Sequence, residues 1–247
     1  MFLSVYAGGG IGGLTNMDEY RAHILAHIDR EAPKPQRILE VAGAGVRGDH
    51  DLNPDDWVDP DDRQDLRLAA VLVPIVEHRD GPTIILTRRA DHLNSHSGQV
   101  AFPGGKVEPG ETPVEGALRE AEEEIGLDRS FVEVVGFIDP YETGTGFRIL
   151  PVISFVRPGF TLKADPGEVA EIFEVPLAFL LNEDNHERHS VFWKGKRRAY
   201  YAMPYRGHYI WGATAGMIRN LSDRLSDRLS DRLSDKLSGG TKKGIAD

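Results

Sequence analysis

Glu120, Glu123 and Glu124 stand within five residues of one another and are the side chains best suited to chemistry. On an α-helix, residues three and four apart lie side by side, so the three carboxylates would share one face. Like charges at this spacing repel one another, and helix stability gives no reason for them. A bound cation would turn that repulsion into attraction, and all-oxygen ligation suits Mg²⁺ or Mn²⁺ better than zinc. We therefore interpret the three glutamates as metal ligands.

The helix that must position these carboxylates has clear ends in the sequence. Thr112 supplies an N-cap hydroxyl, Pro113 suits the first helical position, and Glu115 completes a capping box. Gly126 stands where a left-handed C-cap would fall, which predicts a helix of about 13 residues. Its apolar stripe consists of Val114, Leu118, Ala121 and Ile125. Glu122 falls on the far side of this stripe, and we interpret it as solvated.

The residues around this helix resemble the Nudix box, Gly-x5-Glu-x7-Arg-Glu-U-x-Glu-Glu-x-Gly-U, in which U is aliphatic or small. The fixed positions are matched by Gly105, Glu111, Arg119, Glu120, Glu123, Glu124 and Gly126. An acidic, solvated helix is the alternative, but seven fixed residues at fixed spacing are far more specific than a short motif. The resemblance implies an α+β fold, a Nudix-type α/β/α sandwich around a mixed β-sheet. It also implies hydrolysis of a nucleoside diphosphate linked to another moiety.

The resemblance assigns roles to individual residues. The catalytic residues that it implies are Arg119, Glu120, Glu123 and Glu124. The metal ligands that it implies are Glu120, Glu123, Glu124, the Gly105 carbonyl and Glu168. Glu123 or Glu124 would take the proton of the attacking water. Glu111 and Arg119 would brace the loop and the helix behind the ligands.

Residues 85–105 are similar to the signature of the coenzyme A pyrophosphatase branch, Leu-Leu-Thr-x-Arg-[Ser/Ala]-x3-Arg-x3-Gly-x3-Phe-Pro-Gly-Gly. The matching residues are Arg89, Ala90, Gly98, Phe102, Pro103, Gly104 and Gly105. Ile85 replaces a leucine conservatively, whereas Asn94 departs from the pattern because it stands in place of an arginine. Residues 210–215 also resemble this branch. The resemblance implies cleavage of coenzyme A, or an acyl form, to 3′,5′-ADP and the phosphopantetheine part.

Coenzyme A carries a 3′-phosphate besides its diphosphate, so side-chain cations must supplement the metal. Arg88, Arg89 and Lys106 lie close to the box in sequence, and a guanidinium suits bidentate phosphate contacts. Neighbouring side chains of a strand point to opposite faces, so only one of the two arginines can enter the site, and we favour Arg89. His96 is a further candidate for substrate contact, with His92 in the same loop.

Three alternatives stay open at this point. We prefer Glu168 to Glu171 as the later acid that completes the metal site. The same fold could act on ADP-ribose or another nucleoside diphosphate, with Pro140 and Tyr141 in the region that sets specificity in such branches. The domain could also be a silent nucleotide-binding regulator, although its complete set of metal-binding glutamates argues against this.

Composition narrows the remaining classes of function. Acids outnumber bases 39 to 29 over 247 residues, and the net charge of −10 argues against nucleic-acid binding and docking on anionic membranes. The absence of cysteine excludes disulfides and thiolate nucleophiles and fits a cytoplasmic location. No apolar run approaches the roughly 18 residues of a membrane span, and the N-terminus lacks the pattern of a signal peptide.

We predict four segments along the chain. They are a flexible glycine-rich leader (1–16), an N-terminal helix with an acidic linker (17–66), the hydrolase domain (67–218), and a repetitive helix with a disordered tail (219–247). The alternative for the leader is a dinucleotide site, since its glycines have Gly-x-Gly-x-x-Gly spacing, and Met17 could be the true start. Residues 191–201 are aromatic and basic and are predicted to form a hairpin arm.

The last predicted helix carries a repeat, Leu-Ser-Asp-Arg, that begins at Leu221. A four-residue period advances the leucines by about 40° per copy, so they spiral round the helix and do not form a straight seam. This favours a partly frayed helix. Self-association through the leucines, as a homodimer, is the alternative.

Overall fold

The computed structural model describes residues 14, 16–40, 46–54, 66–193 and 195–226. Most of the predicted leader, residues 55–65 of the acidic linker and the repeat copies beyond 226 lie outside these ranges. The division into four segments therefore stays a prediction. In the described ranges, no helix has the length and apolar character needed to cross a membrane.

The described ranges contain both α-helices and β-strands, and most strands follow one another without a helix between them. The helices are α1 (Met17–His27), α2 (Pro35–Glu40), α3 (Pro113–Ile125), α4 (Leu177–Leu181) and α5 (Ala213–Leu225). The strands are β1 (Arg47–Gly48), β2 (Arg67–Val76), β3 (Thr83–Arg89), β4 (Val100–Ala101), β5 (Gly104–Lys106), β6 (Val132–Phe137), β7 (Tyr141–Glu142), β8 (Phe147–Val156), β9 (Val169–Pro176), β10 (Glu187–Trp193), β11 (Lys196–Tyr205) and β12 (His208–Trp211).

β1 to β9 form a mixed sheet in the order β1-β7-β8-β2-β3-β4, with β5 paired to β2, β6 to β8 and β9 to β3. Its centre is the parallel pair of β2 and β8, in which residues 67–76 lie beside residues 147–156. Both strands are apolar along most of their length, as expected for strands that are buried on two faces. The last three strands form a separate antiparallel sheet, β10-β11-β12.

Helices cover both faces of the mixed sheet. α2 and α3 pack on one face through residues such as Ile38 and Ala121. α1, α4 and α5 pack on the other face, where they contribute Ile24, Leu177 and Leu221. The layers are helix, sheet and helix, which confirms the predicted α+β sandwich around a mixed sheet.

A buried arginine joins the N-terminal segment to the sheet. Arg148 lies in β8 with an exposed fraction of 1%. Its guanidinium donates hydrogen bonds to the carbonyl oxygens of Ile38 (2.9 Å) and Leu39 (3.0 Å) near the end of α2. It also donates to the carboxylate of Glu142 in β7, at 2.5 Å. One charged side chain thus binds α2, β7 and β8 together.

Residues 49–53 are also tied into the fold, although they lie in the segment for which we predicted an acidic linker. Asp49 accepts hydrogen bonds from the Tyr141 hydroxyl (2.9 Å) and from the Gly144 amide (2.8 Å). The Asn53 side chain donates to the Ala199 carbonyl at 2.9 Å and accepts from the Ala199 amide at 2.7 Å. This segment therefore connects the β7–β8 turn to β11.

The first copy of the repeat, residues 221–224, belongs to the folded core. Asp223 is fully buried in α5. Its carboxylate accepts hydrogen bonds from Arg47 Nη2 at 3.0 Å and from Arg219 Nε at 2.8 Å. This copy is therefore fixed by tertiary contacts and not by its repetitive sequence.

We expect Asp223→Asn to lower the free energy of unfolding by about 3 kcal/mol, because it leaves Arg47 and Arg219 beside a neutral group in a buried site. Urea denaturation followed by circular dichroism measures the change. Asp227→Asn, the same substitution in the next copy of the repeat, controls for the loss of one negative charge. Equal unfolding free energies for Asp223→Asn and the unchanged protein would contradict the prediction.

Candidate active site

α3 begins and ends where its sequence signals predict. The Thr112 hydroxyl accepts a hydrogen bond from the Glu115 amide (3.2 Å), and the Glu115 carboxylate accepts one from the Thr112 amide (2.8 Å). Gly126 closes the helix in the left-handed region, with φ of 65°, and its amide donates to the Glu122 carbonyl. The predicted helix is confirmed, and its buried side packs against the sheet through Ala121 and its neighbours.

The three glutamates of α3 lie at different depths on one side of the helix. Glu124 is 4% exposed, and its carboxylate accepts a hydrogen bond from the Gly104 amide at 3.2 Å. Glu120 and Glu123 accept hydrogen bonds from the same atom, Arg119 Nη1, at 3.0 and 2.9 Å. The Glu123 side chain is 61% exposed. The group therefore extends from the protein interior to solvent.

Arg119 and Glu111 brace the loop before α3 against the helix. Arg119 Nε donates to Glu111 Oε1 at 2.7 Å, and Arg119 Nη2 donates to the Lys106 carbonyl at 3.2 Å. Glu111 also accepts a hydrogen bond from the Glu108 amide at 2.9 Å. The hydrogen bonds from Arg119 and from this amide lower the pKa of the Glu111 carboxyl, so it stays charged. Through these contacts, Arg119 and Glu111 hold the loop before α3 against the helix.

Two glycines in β5 permit close packing, one against the neighbouring strand β2 and the other against a carboxylate of α3. At Gly104, φ is 153°, and a Cβ atom would lie 2.5 Å from the Ala70 carbonyl oxygen. At Gly105, a Cβ atom would lie 2.5 Å from Glu120 Oε1. The amide contact from Gly104 to Glu124 was missed by the sequence analysis, although the Pro-Gly-Gly sequence signals a loop in which backbone approaches a ligand or side chain.

We expect Gly105→Ala to reduce turnover by about 10²-fold with little loss of stability, because the new methyl group must displace the Glu120 carboxylate. Steady-state kinetics and a thermal melt on the same sample separate the two effects. An alanine variant with undiminished activity would show that the position of Glu120 does not matter.

Negative charge is incompletely balanced among these side chains. Burial, with the nearby charges of Glu120 and Glu168, raises the pKa of the Glu124 carboxyl to about 7. Burial also raises the pKa of Glu120, and the charges of Glu123 and Glu168 add to the effect. The charge of Glu168 therefore acts on both the buried Glu124 and the partly buried Glu120. Crowded, partly desolvated carboxylates favour a proton or a cation in their midst.

The donor chemistry of this cluster fits a hard divalent cation, since all of its side-chain donors are carboxylate oxygens. In the part of the chain that the structure describes, no three Asp, Glu or His side chains already converge on a common point that could hold a metal. Arg119 instead draws Glu120 and Glu123 toward its own guanidinium. The metal ligands, including the Gly105 carbonyl and Glu168, thus stay a prediction.

Arg88 and Arg89 point to opposite faces of β3, as strand alternation predicts. Arg89 Nη1 lies 3.7 Å from Glu124 Oε1, on the face that α3 covers. The Arg89 Nε atom is buried and has no hydrogen-bond partner among the described residues. Arg88 pairs with Asp91 at 2.8 Å and lies 3.6 Å from Glu171. The structure therefore brings Arg89 to the carboxylates and places Arg88 and Glu171 elsewhere.

The other predicted substrate residues are exposed to solvent. Lys106 is exposed at the end of β5. His96 is exposed with φ of 57°, and its Nδ1 atom lies 2.9 Å from Gln99 Oε1. His92 and Asn94 are exposed in the same loop. Their contact with a substrate stays a prediction.

Tyr141 is a core residue and does not present its ring to a ligand. It is 5% exposed, and its hydroxyl donates to Asp49. A Cβ atom at Gly216 of α5 would collide with its ring, which shows how closely the helix approaches. The suggestion that Tyr141 sets specificity for ADP-ribose therefore loses its structural basis.

Comparison with known proteins gives one family. Residues 66–194 match the model of the NUDIX domain. The uncharacterized Nudix hydrolase NudL of Escherichia coli O6:H1 is 41% identical over 157 residues, which are 63% of this chain and 81% of that protein. NudL of Yersinia enterocolitica serotype O:8 is 42% identical over 157 residues, 63% of this chain and 80% of that protein.

Solved structures also match at low identity. The Nudix hydrolase RenU from M. smegmatis is 17% identical, with a TM-score of 0.42, over 72% of this chain and 90% of its own. The NUDIX domain of Shewanella oneidensis NrtR, solved in complex with ADP ribose, is 17% identical, with a TM-score of 0.40, over 73% of this chain and 94% of its own.

Proposed function

This chain belongs to the Nudix hydrolase family and is a pyrophosphohydrolase of nucleoside diphosphate derivatives, and we propose that its substrate is coenzyme A or an acyl form of it. Hydrolysis of the diphosphate bond would give 3′,5′-ADP and 4′-phosphopantetheine or its acyl form. The choice of coenzyme A rests on the similarity of residues 85–105 and 210–215 to that branch of the family.

The observation that carries the proposal is the placement of Arg89 beside the buried Glu124. Its guanidinium lies 3.7 Å from Glu124 Oε1, and its Nε hydrogen has no protein acceptor in the described ranges. A buried donor without an acceptor costs free energy unless a ligand supplies one. A phosphate oxygen of the substrate would accept this hydrogen bond and would place the diphosphate against the acidic cluster.

Glu120, Glu123, Glu124 and Glu168 would hold Mg²⁺ or Mn²⁺, which when bound would neutralise the diphosphate and lower the pKa of a water molecule. Glu123 is the most exposed of the three glutamates on α3, so it can meet a water molecule that enters from solvent. Arg119 holds the Glu123 carboxylate at 2.9 Å and so fixes its direction. In this proposal, Glu123 accepts the proton of the attacking water, and Arg89 stabilises charge on the phosphate.

We expect Arg89→Gln to reduce kcat/KM about 10²-fold or more, because it removes a charged donor to the diphosphate. Arg88→Gln is the matched control, since Arg88 is the next residue in the strand and pairs with Asp91 on the opposite face. Steady-state kinetics with coenzyme A measures both. A larger loss in Arg88→Gln than in Arg89→Gln would contradict the assignment of faces.

The substrate itself is tested by comparing hydrolysis of coenzyme A, acetyl coenzyme A, ADP-ribose and NADH, each with Mg²⁺ and with Mn²⁺. Chromatography of the products should show 3′,5′-ADP from coenzyme A. Rapid hydrolysis of ADP-ribose without hydrolysis of coenzyme A would overturn our choice of substrate and support an enzyme that acts on ADP-ribose. Tight nucleotide binding without any turnover would support a regulator.

A further inference from the structure

Gln99 ends the loop between β3 and β4 and lies beside Arg89. Arg88 is paired with Val100, and Val100 is buried in the core on the side of α1, α4 and α5. Side chains alternate along a strand, so Gln99 points to the other side of the sheet, which is the side of α3 and Arg89. The Arg89 amide donates to the Gln99 carbonyl at 2.9 Å, so the two residues are neighbours across adjacent strands, about 5 Å apart. Gln99 therefore lies on the active-site face of the sheet.

A β-bulge fixes Gln99 in this position. The Gly98 amide donates to the Arg89 carbonyl at 3.2 Å, and the Arg89 amide bonds to Gln99, so two residues oppose one. Gly98 adopts the left-handed region, with φ of 67°, as glycine does at the first position of such a bulge. Bulges are common next to active sites, where they redirect a side chain. The backbone itself thus sets where the Gln99 side chain begins.

His96 holds the Gln99 side chain from within the same loop. The backbone amide of Gln99 donates to the His96 carbonyl at 3.2 Å, and His96 Nδ1 lies 2.9 Å from Gln99 Oε1. A carboxamide oxygen can only accept, so the hydrogen of the second bond belongs to Nδ1. His96 has a positive φ of 57°, which costs free energy in any residue other than glycine. A strained residue whose ring is turned onto a neighbour indicates a functional reason for the histidine.

The contact with His96 leaves the NH₂ group of Gln99 to a ligand. In the part of the chain that the structure describes, the Gln99 side chain has no hydrogen-bond partner other than His96. Because His96 binds the oxygen, the two hydrogens on the amide nitrogen are free to bond elsewhere. Arg89 already lies beside Glu124, so part of its charge is balanced before a substrate arrives. A neutral donor next to Arg89 can add a hydrogen bond to an anion at this point.

We propose that the Gln99 amide donates a hydrogen bond to the phosphate that Arg89 binds, and that His96 is a positioning residue that sets the direction of this amide. This inference rests on the proposed function only in that a diphosphate lies beside Arg89 and the acidic cluster. It does not depend on the choice of coenzyme A, because all four compounds of the substrate comparison contain a diphosphate. Gln99 and Arg89 bind oxygens of one phosphate from two adjacent strands.

Gln99→Leu should lower kcat/KM about 10- to 100-fold, the factor expected for one hydrogen bond to a charged group. Gln99→Glu should lower it further, because a carboxylate still accepts the bond from His96 but repels the phosphate. Steady-state kinetics uses whichever of coenzyme A, acetyl coenzyme A, ADP-ribose and NADH the unchanged protein hydrolyses. Full kcat/KM in Gln99→Leu, or a smaller loss in Gln99→Glu than in Gln99→Leu, overturns the role of Gln99.

The matched control for Gln99→Leu is Gln36→Leu, the same substitution at an exposed residue of α2. It should leave kcat/KM within about twofold, as surface substitutions away from a site do. An equal loss in Gln36→Leu would show that the effect does not come from the active-site face.

His96→Gly separates positioning from folding. Glycine adopts the left-handed region without strain, so the melting temperature should not fall. Loss of the imidazole lets the Gln99 amide rotate, and kcat/KM should fall about 3- to 10-fold, the factor for one neutral hydrogen bond. His96→Asn should recover most of this loss, because asparagine tolerates the left-handed region and its amide can donate to Gln99 Oε1. Ser95→Gly adds a glycine at an exposed residue of the same loop and controls for backbone flexibility.

A double-mutant cycle tests whether His96 acts through Gln99. In the Gln99→Leu background, His96→Gly should have no further effect on kcat/KM. Equal losses from His96→Gly in the two backgrounds would show that His96 acts independently and would overturn its positioning role. A melting temperature that falls in parallel with activity would make His96 a structural residue and would overturn the role as well.

The choice of substrate separates failure of this inference from failure of the substrate assignment. Hydrolysis of coenzyme A with a kcat/KM that is unchanged in Gln99→Leu would defeat the inference alone. Hydrolysis of ADP-ribose but not of coenzyme A, with the expected loss in Gln99→Leu, would defeat the assignment of coenzyme A alone.

Discussion

Replacing Glu123 with glutamine is expected to lower kcat by about 10²–10⁴-fold, the usual contribution of a general base. Glutamine keeps the size of the side chain and its ability to accept a hydrogen bond from Arg119, but it cannot take a proton. The Glu123 side chain is 61% exposed, so the folded state should be hardly affected. Steady-state kinetics with saturating Mn²⁺ and a thermal melt measure the two quantities.

Glu122→Gln is the matched control for this experiment. Glu122 is the preceding residue of α3, and 47% of its side chain is exposed. Its carboxylate pairs with Arg129 at 2.6 Å, on the side of the helix away from the cluster. We expect its activity to stay within about twofold, since exposed ion pairs contribute little. Similar losses in both variants, or full activity in Glu123→Gln, would contradict the role of Glu123.

Arg148→Met should cost about 3–5 kcal/mol of unfolding free energy, the usual effect of removing one partner of a buried ion pair. The change removes the hydrogen bonds that Arg148 donates to the carboxylate of Glu142 and to the carbonyl oxygens of Ile38 and Leu39. Methionine keeps an apolar side chain of similar reach, so loss of the charge and its hydrogen bonds dominates. Chemical denaturation measures the free energy.

A second substitution tests the reason for this loss. Arg148→Met combined with Glu142→Leu removes both charges of the pair and should recover part of the stability, because the carboxylate that lost this cation is then removed as well. Arg157→Met is the control on an exposed arginine at the end of the same strand, which donates to the Ser130 carbonyl. A single Arg148→Met variant as stable as Arg157→Met would show that the buried network contributes nothing.

The active-site helix could be predicted from the sequence because its signals are local. Thr112, Pro113, Glu115 and Gly126 each act within one turn of the helix, and their geometry is as expected. The separation of Arg88 from Arg89 follows from strand alternation, which is equally local.

The buried charged residues could not be predicted, because they depend on contacts between distant parts of the chain. A charged residue in a strand suggests a solvent-facing position, but Arg148, near the start of β8, is buried. Its partner Ile38 is 110 residues away in sequence, so no local pattern predicts the contact. Asp49 and Tyr141 form a hydrogen bond across 92 residues. The copies of the Leu-Ser-Asp-Arg repeat look alike locally, so the repeat itself does not predict that Asp223 binds Arg47, which is 176 residues away in sequence.

The parallel pairing of β2 with β8 determines when enzymatic activity should return during refolding. These neighbours are separated by eighty residues, and the whole acidic cluster of α3 lies in the intervening stretch. Contacts of such long sequence separation make refolding slow, whereas a single helix can form in about a microsecond. In a refolding experiment, helical signal should therefore return early, and hydrolysis should return only when the two central strands have met.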